Sequence, residues 1–527
     1  MESIARRSSA LAVVDGKQRV TYSELGDRIV ASTQAMMAAG VGPGDRVAVW
    51  APNCLGWIVA ALGAQCAGAA LVPINTRWKG GEAAFVLATA NVSVLCTSVG
   101  FLETNTVAML DEDPTPLANL RQIVVLSGLT RPRNDGLIPT VSWDDFLANG
   151  VAVSPQAARQ QLEQVQPGDT SDILFTSGTT GRPKGVVMSH AQTVRQFTEW
   201  CDFAGLQAGD RYLIVNPFFH MFGYKAGWVA SLLRGATIFP VPVFDVPTVL
   251  SLVQTERITV LPGAPTIYRS ILDCPDRANY DLSSLRVAVT GAADIPVALI
   301  EQMRAELPFT SILTGYGLTE AGTCTGSRPE DDAETIATTA GRAMNDLEIV
   351  IADSHGAEVS RGETGELLVR GYSVMQHYLD DPAGTAAAVD PNGFLHTGDL
   401  ATMDERGYVR IVGRLKDMVI VGGFNVYPAE IENMLMTHEA ISQAAVIGVP
   451  DERMGEVCMA FLVATMGQPV TMGQPVTSEQ IAAWCREKMA NYKVPRRVVF
   501  VDSLPMNASG KVDKNVLRAR AASEASQ

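Results

Sequence analysis

The sequence predicts an α/β fold: a large N-terminal domain of stacked α/β subdomains with a small β-rich subdomain, followed by a small α+β C-terminal domain. Three observations predict it. Strand-like and helix-like segments alternate over residues 46–97 and again over 172–313, the pattern of a parallel sheet covered on both faces. Several of these strands run out into Gly-, Thr- or Pro-rich turns, the ends at which open α/β sheets bind ligands. From about Ala340 the alternation gives way to short strands and turns, LEIVIADSHG, GELLVRG and GYVRIVG, and residues 414–527 carry a helix and strand set of their own.

In chain order, LAVVDGKQRVTY reads as a hairpin turning at Asp15-Gly16. Thr21 and Glu24 form a capping box for a helix that Gly40 ends. Then come a strand at Arg46–Trp50, a helix at Cys54–Gly68, a strand at Ala70–Ile74, a helix near Glu82–Ala90 and a strand at Ser93–Thr97. The charge-free stretch Val47–Thr76 is read as this buried β-α-β unit and not as a membrane span, because Pro52, Asn53, Gln65 and several glycines interrupt it. Further strands are expected at Asp172–Thr176, Val186–Met188, Tyr212–Val215, Thr237–Pro240, Thr259–Leu261, Arg286–Thr290 and Ser311–Leu313. The domains are drawn as 1–413 and 414–527, the second with elements at Pro428–Thr437, Ser442–Val449, Val457–Ala464 and Glu479–Met489. The hexapeptide TMGQPV, repeated in tandem over 465–476, is read as a lengthened surface loop without a function.

Composition narrows the function. The chain has 527 residues, a formal charge of −15, 47% hydrophobic and 18% charged residues, so it folds and does not attract extended polyanions. Nucleic acid and anionic membranes are therefore not expected partners. The eight cysteines show no CxxC or paired spacing, which speaks against a zinc site and for a reducing, cytoplasmic setting. The apolar run Ala10–Val14 is too short for a secretory signal, and for that reason the sequon Asn507-Ala508-Ser509 is set aside.

The strongest local signal is TSGTTGRPKG over 176–185, directly after an expected strand. Thr176, Ser177, Gly178, Thr179, Thr180, Gly181 and Lys184 concentrate hydroxyls, open backbone and a cation in one loop, the equipment of a phosphate site. It is not a Walker loop, because the G-x-x-x-x-G-K-[ST] spacing is missing and a strand follows. The segment resembles the phosphate loop of the adenylate-forming superfamily of acyl-CoA synthetases, peptide-synthetase adenylation domains and beetle luciferases. The superfamily's other motifs follow in order: NPFFHMFG (216–223), TGAA (290–293), GYGLTE (315–320), GFLHTGD (393–399), GRLKD (413–417), GGFNVYP (422–428) and NASGK (507–511).

This resemblance implies ATP, CoA and Mg²⁺ as cosubstrates and cofactor, and a carboxylic acid as substrate. Attack of a carboxylate on the α-phosphate builds negative charge at phosphorus, and Lys511 is the implied bridging cation. Glu320 and Thr179 are the implied Mg²⁺ ligands, and Thr319 the implied donor to the α-phosphate. Gly291, Ala292 and Ala293 let the backbone approach adenine, Tyr316 between Gly315 and Gly317 stacks on it, and Asp399 and Arg414 take the ribose and phosphate. The small domain is implied to be mobile, swivelling about Lys416 between two half-reactions, while Gly422 and Gly423 leave room for the pantetheine arm. His220 is the implied gate between carboxylate and thiol sites. The acyl pocket is implied to be bounded by Phe218, Phe219, Tyr224, Lys225, Ala264, Pro265 and Ala292.

Small residues at 264 and 292 argue for a bulky acid over acetate. Lys225 stands in otherwise apolar helical sequence and needs a polar partner if buried; it either snorkels to the surface or faces a ring ketone of the substrate. At finer grain, TSDILFTSGTTG, NPFFHMFGYKAG, ITVLPGAPTIY, DLSSLRVAVTGAA and RPEDDAETIATTAGR are similar to actinobacterial CoA ligases that activate the propanoate side chain of the methyl-hydrindanedione left by steroid ring degradation. A medium-chain fatty acid is the rival substrate. Carrier-protein loading is the rival reaction, disfavoured because no carrier-like segment follows Lys511. Nothing in the sequence speaks for an oxygenase, and an inert acyl-binding protein is disfavoured by the presence of Thr179, Glu320, Asp399, Arg414 and Lys511. The oligomeric state is not legible.

Overall fold

The computed structural model describes residues 6–129, 138–176, 183–291, 295–422, 424–451, 453–465, 476–507 and 511–525. The chain folds as two compact units, one of Met1–Ile349 with Val369–Leu395 and one of Val350–Leu368 with His396–Gln527. Compactness does not divide the chain at 413/414, because residues 399 and 414 face each other in one antiparallel ladder. No helix among the described residues is long and apolar enough to cross a membrane, and none of the eight cysteines forms a disulfide.

The first unit opens as the sequence predicts. Leu11–Asp15 and Gln18–Thr21 pair around a two-residue turn. The helix Tyr22–Ala38 starts on the Thr21/Glu24 capping box, and Gly40 in a left-handed conformation closes it. The hairpin joins Thr237–Pro240 and Arg211–Ile214 in a four-stranded sheet.

The charge-free stretch becomes the centre of the largest sheet. Eight strands lie in the order His377–Tyr378, Lys184–Ser189, Thr170–Thr176, Ala70–Pro73, Arg46–Trp50, Val94–Ser98, Gln122–Ser127 and Thr140–Ser142. The inner ladders are parallel, while Lys184–Ser189 pairs antiparallel with both of its neighbours. Val47–Trp50 and the helix Leu55–Cys66 are almost wholly buried, which is why this stretch carries no charge. A third sheet orders Val287–Gly291, Ser311–Leu318, Gly322–Gly326 and Arg342–Ala343.

One expected strand is reduced to a seam. Thr259–Leu261 is no regular strand; Val260 alone bridges Tyr212 on one side and Val287 on the other. Pro262 follows directly and has no N–H to extend a ladder. Gly263 resumes the contact by pairing with Thr290.

A fourth sheet orders Leu347–Ala352, Gly365–Gly371, Leu395–Met403 and Val409–Arg414. The rest of the second unit is a five-stranded sheet of Phe424–Val426, Val419–Val421, Gly455–Ala464, Ile441–Asp451 and Arg497–Phe500. The helices Pro428–Leu435, Ser478–Lys488 and Lys514–Ala525 accompany it. One core gathers Ile431, Leu435, Ile481 and Cys485 with Val446 and Leu462, and another gathers Leu517 and Ala521 with Ile447 and Phe461.

Candidate active site

The Thr170–Thr176 and Lys184–Ser189 strands are paired to their ends, with Thr176 opposite Lys184. The expected phosphate loop is thus the connection of an antiparallel pair, and the strand read after it is present. Ser177, Gly178, Thr179, Thr180 and Gly181 lie outside the described residues. Lys184 does not reach into solvent alone. Its Nζ is 3.0 Å from Asp381 Oδ2 and lies 4.8 Å from the centre of the Tyr378 ring. The hydroxyl of Tyr378 donates to Glu320 Oε1 at 2.9 Å. Glu320 itself follows the Ser311–Leu318 strand, is half-buried, and receives Met375 N–H on its carbonyl at 2.7 Å.

Thr290 and Gly291 end their strand opposite Thr314 and Gly315, and Thr290 also faces Gly263. A Cβ at Gly291 would stand 3.1 Å from Gly315 O, so these motifs meet through bare backbone. Tyr316 is half-buried at a bulge of the same strand, beside exposed Gly317, and Thr319 is half-buried in the turn. Ala292 and Ala293 lie outside the described residues.

The NPFFHMFG loop is held by a residue from the charge-free stretch. Buried Asn53 donates to the carbonyls of Ile214, Asn216 and Val241 at 3.2, 2.9 and 3.1 Å, and its Oδ1 accepts Phe218 N–H at 2.8 Å. His220 is exposed, and its Nδ1 accepts Phe222 N–H at 3.2 Å, so it is not a core histidine. Of the expected acyl-pocket wall, Phe219 and Ala264 are half-buried. Phe218 and Tyr224 are closed off in an aromatic cluster with Trp57 and Trp228, and Pro265 is buried in the first turn of a helix.

Lys225 neither snorkels nor stands alone. It sits in a wide π-helical turn, Tyr224–Val229, with Nζ 2.8 Å from Asp172 Oδ1 and 3.1 Å from Thr193 Oγ1. Tyr224 Oη donates to Asp172 Oδ2 at 3.5 Å, Gln65 donates to Tyr224 Oη at 3.1 Å, and Ser171 Oγ donates to the same carboxylate. Burial, and the nearby Asp172 anion, hold the Tyr224 phenol well above its ordinary pKa. The reading in which Lys225 snorkels is corrected: the amine has its polar partner inside the protein.

In the second unit Asp399 is buried within the Leu395–Met403 strand, directly after Gly398, whose φ of 69° is a left-handed conformation that favours glycine. Arg414 Nε lies 2.8 Å from Asp399 Oδ1 across the ladder. Glu366 clasps the start of this strand, with Oε2 2.9 Å from His396 Nδ1 and Oε1 accepting Gly398 N–H at 3.0 Å. Lys511 lies in the same neighbourhood. Its N–H donates to Asn507 Oδ1 at 3.0 Å and its side chain is exposed by surface area, yet protein atoms crowding the amine, and the Arg414 cation, lower its pKa against the pull of Asp399. Lys416 is exposed in a single turn, and the adjoining Asp417 pairs with Arg518 at 2.7 Å. Gly422 has φ of 56°, and a Cβ there would come within 2.5 Å of the Met454 methyl; Gly423 lies outside the described residues.

The AMP-binding enzyme family matches residues 1–379, and the AMP-binding enzyme C-terminal domain matches 430–511. The chain belongs to the AMP-binding enzyme family. It is 51% identical over 510 residues, 96% of this chain and 95% of the relative, to the 3-[(3aS,4S,7aS)-7a-methyl-1,5-dioxo-octahydro-1H-inden-4-yl]propanoyl:CoA ligase of Rhodococcus jostii. It is 48% identical over 509 residues to the ligase of the same name from Mycobacterium tuberculosis, again over 96% and 95% of the two chains. Among solved structures, an anthranilate CoA ligase in complex with anthranoyl-AMP superposes with a TM-score of 0.86 at 27% identity, over 100% of this chain and 98% of that one.

This AMP-binding enzyme is an AMP-forming acyl-CoA synthetase, and ATP and CoA fit it as substrates. Its first unit gathers Lys184, Glu320, Tyr378 and Asp381, and its second gathers Asp399, Arg414 and Lys511. The motif residues of both clusters are legible in the sequence, whereas Glu366, Tyr378 and Asp381, which hold them, are not, nor are Asn53 and Asp172, which hold the 216–223 loop and Lys225. Only Asn53 gave a signal, as a polar residue in a long apolar run.

Proposed function

We propose that this enzyme makes an acyl-CoA from a bulky alicyclic propanoate bearing ring ketones, the acid named in its actinobacterial relatives, by way of an acyl-adenylate. The observation that carries the substrate is identity of 51% and 48% to two ligases of that name across nearly the whole chain. In the first half-reaction the substrate carboxylate displaces pyrophosphate from the α-phosphorus. Lys511 supplies the cation between carboxylate and phosphate, Thr319 a hydroxyl donor, Tyr316 a face for adenine, and Asp399, oriented by Arg414, acceptors for the ribose. In the second, the CoA thiol attacks the acyl carbonyl and AMP leaves. His220 orients the acid from its exposed position, and the left-handed turn at Gly422 with Gly423 passes the pantetheine arm. The bodies that exchange between the half-reactions are 1–413 and 414–527, hinged at Lys416.

For Mg²⁺ the residues fit a particular kind of site. Glu320 offers one half-buried carboxylate, and no three acidic, His or Cys side chains gather among the described residues. That set suits an ion carried mostly by phosphate oxygens and water, as Mg²⁺ prefers, with Glu320 and Thr179 as protein ligands. The ion would neutralise phosphate charge. Eight cysteines that form no disulfide support a cytoplasmic setting.

The test is a carboxylic-acid panel read by the mass of the acyl-CoA formed. The methyl-hydrindanedione propanoate is expected to exceed octanoate in kcat/KM; equal or better turnover of octanoate would replace this substrate with a medium-chain acid. Acid-dependent pyrophosphate release without an acyl-CoA product would instead support carrier loading.

A further inference from the structure

The segment 375–388 runs along both chemical motifs of the first unit and touches each twice. Met375 N–H donates to Glu320 O at 2.7 Å and Tyr378 Oη to Glu320 Oε1 at 2.9 Å. Leu379 N–H donates to Gly185 O at 2.7 Å, and Asp381 Oδ2 lies 3.0 Å from Lys184 Nζ. The Tyr378 ring stands between them, its hydroxyl on the anion and its face 4.8 Å from the cation.

The strap is itself fixed. His377 and Tyr378 pair with Val187 and Val186 as the edge strand of the large sheet. Asp381 Oδ1 accepts Gly384 N–H at 2.7 Å, opening the helix Pro382–Ala388, and Thr385 Oγ1 accepts Tyr378 N–H at 2.9 Å. A Cβ at Gly384 would lie 2.0 Å from Asp381 Oδ2 and 2.7 Å from Lys184 Nζ. A larger residue there would have to push the Asp381 carboxylate and the Lys184 amine aside.

We propose that Tyr378 and Asp381 are positioning residues for ATP, fixing the Glu320 carboxylate and the Lys184 ammonium on one strap before the nucleotide arrives. This rests on the reading of Lys184 and Glu320 as nucleotide-binding groups. A flexible lysine and a half-buried carboxylate would otherwise have to be ordered at the moment of binding, at an entropic cost that a pre-set pair avoids. The aromatic face adds to the hold on the cation without neutralising it.

The experiment uses the full-length enzyme with Tyr378→Phe, Asp381→Asn and Asp381→Glu. Binding of a non-hydrolysable ATP analogue is measured by calorimetry, alongside KM and kcat for ATP, acid and CoA, with thermal melting as the check on folding. Tyr378→Phe and Asp381→Asn are each expected to weaken analogue binding about five- to tenfold, of the order of one lost hydrogen bond. KM for acid and for CoA should stay within twofold, and Asp381→Glu should restore part of the loss. Analogue binding within twofold of the parent in both variants overturns the proposal. So does tighter binding by Asp381→Asn, which would make Asp381 a competitor of phosphate, and so does a loss spread evenly over ATP, acid and CoA with a lowered melting temperature. If the parent binds the analogue and the variants lose it while no acid is turned over, the positioning role stands and the ligase reading fails.

Discussion

Lys225 Nζ and Asp172 Oδ1 form an ion pair at 2.8 Å whose side chains are 2% and 0% exposed, against Tyr224, which in turn packs on Trp57. Asp172 stands in the strand that leads to the phosphate loop, four residues before Thr176, and so roughly 13 Å from its end at 3.3 Å per residue. Lys225 stands in the π-helical turn that follows the NPFFHMFG loop. The pair therefore ties the segment expected to bind the acid to the strand expected to bind phosphate, and it does so inside the core.

Breaking such a pair from one side leaves an uncompensated buried charge, which costs about 3–5 kcal/mol. Lys225→Met and Asp172→Asn are each expected to lower stability by that order in chemical denaturation, while the double variant should recover much of the loss. Because the amine is engaged by Asp172 and Thr193, the ranking of keto acids against plain fatty acids should survive in Lys225→Met at a temperature where the variant is folded. A selective loss of keto acids would return the ketone role to Lys225.

Asn53 makes a second such tie with neutral groups. Replacing it by Ala takes the partner from Phe218 N–H and from the Asn216 and Val241 carbonyls, while Ile214 O keeps Val241 N–H, and each buried unsatisfied group costs about 1–3 kcal/mol before relaxation and water entry. The expected outcome is a loss of several kcal/mol in stability, with KM for the acid raised more than KM for ATP. An unchanged acid KM would mean that the loop at 216–220 keeps its shape without Asn53.

Most of the fold was legible because it rests on local signals. The capping box at Thr21 and Glu24, the Asp15-Gly16 turn and the alternating apolar segments act over a few residues, and they survive into the structure. Thr259–Leu261 was overread since β propensity says nothing of Pro262 cutting the ladder behind it. The motif residues were visible as motifs. Their holders were not, because Tyr378 lies 58 residues from Glu320, and Asp172 lies 52 from Tyr224. Pairings at that separation are decided by sheet order, which no single segment encodes.

Glu366 should act on ATP through geometry alone. It holds Gly398 N–H and His396 and so shapes the strand segment that presents Asp399. Glu366→Ala is expected to raise KM for ATP about tenfold, the order of one hydrogen bond to a charged group. Glu366→Gln, whose amide oxygen still accepts from Gly398, should stay within about threefold on the same basis. Equal damage by both substitutions would point to the charge of Glu366 and not to its hold on the strand at Gly398.

Lys511 separates the two half-reactions. As the bridging cation of adenylate formation it is needed only in the first, so Lys511→Ala should abolish acid-dependent pyrophosphate exchange while leaving thioester formation from supplied acyl-AMP largely intact. The pH dependence follows from its surroundings. Crowding, and the Arg414 cation, lower the amine's pKa, so the charged form is present below that lowered value and is lost as pH rises through it. Adenylation should therefore fall on the alkaline side earlier than an ordinary lysine would require. Lys511→Arg, always charged in this range, should retain some exchange activity and lose that limb. Removing Arg414 should move the limb to higher pH in Arg414→Ala, whatever it does to the affinity for ATP. A limb that stays in place in both variants would mean that another group titrates, and equal loss of both half-reactions in Lys511→Ala would remove Lys511 from the adenylation step.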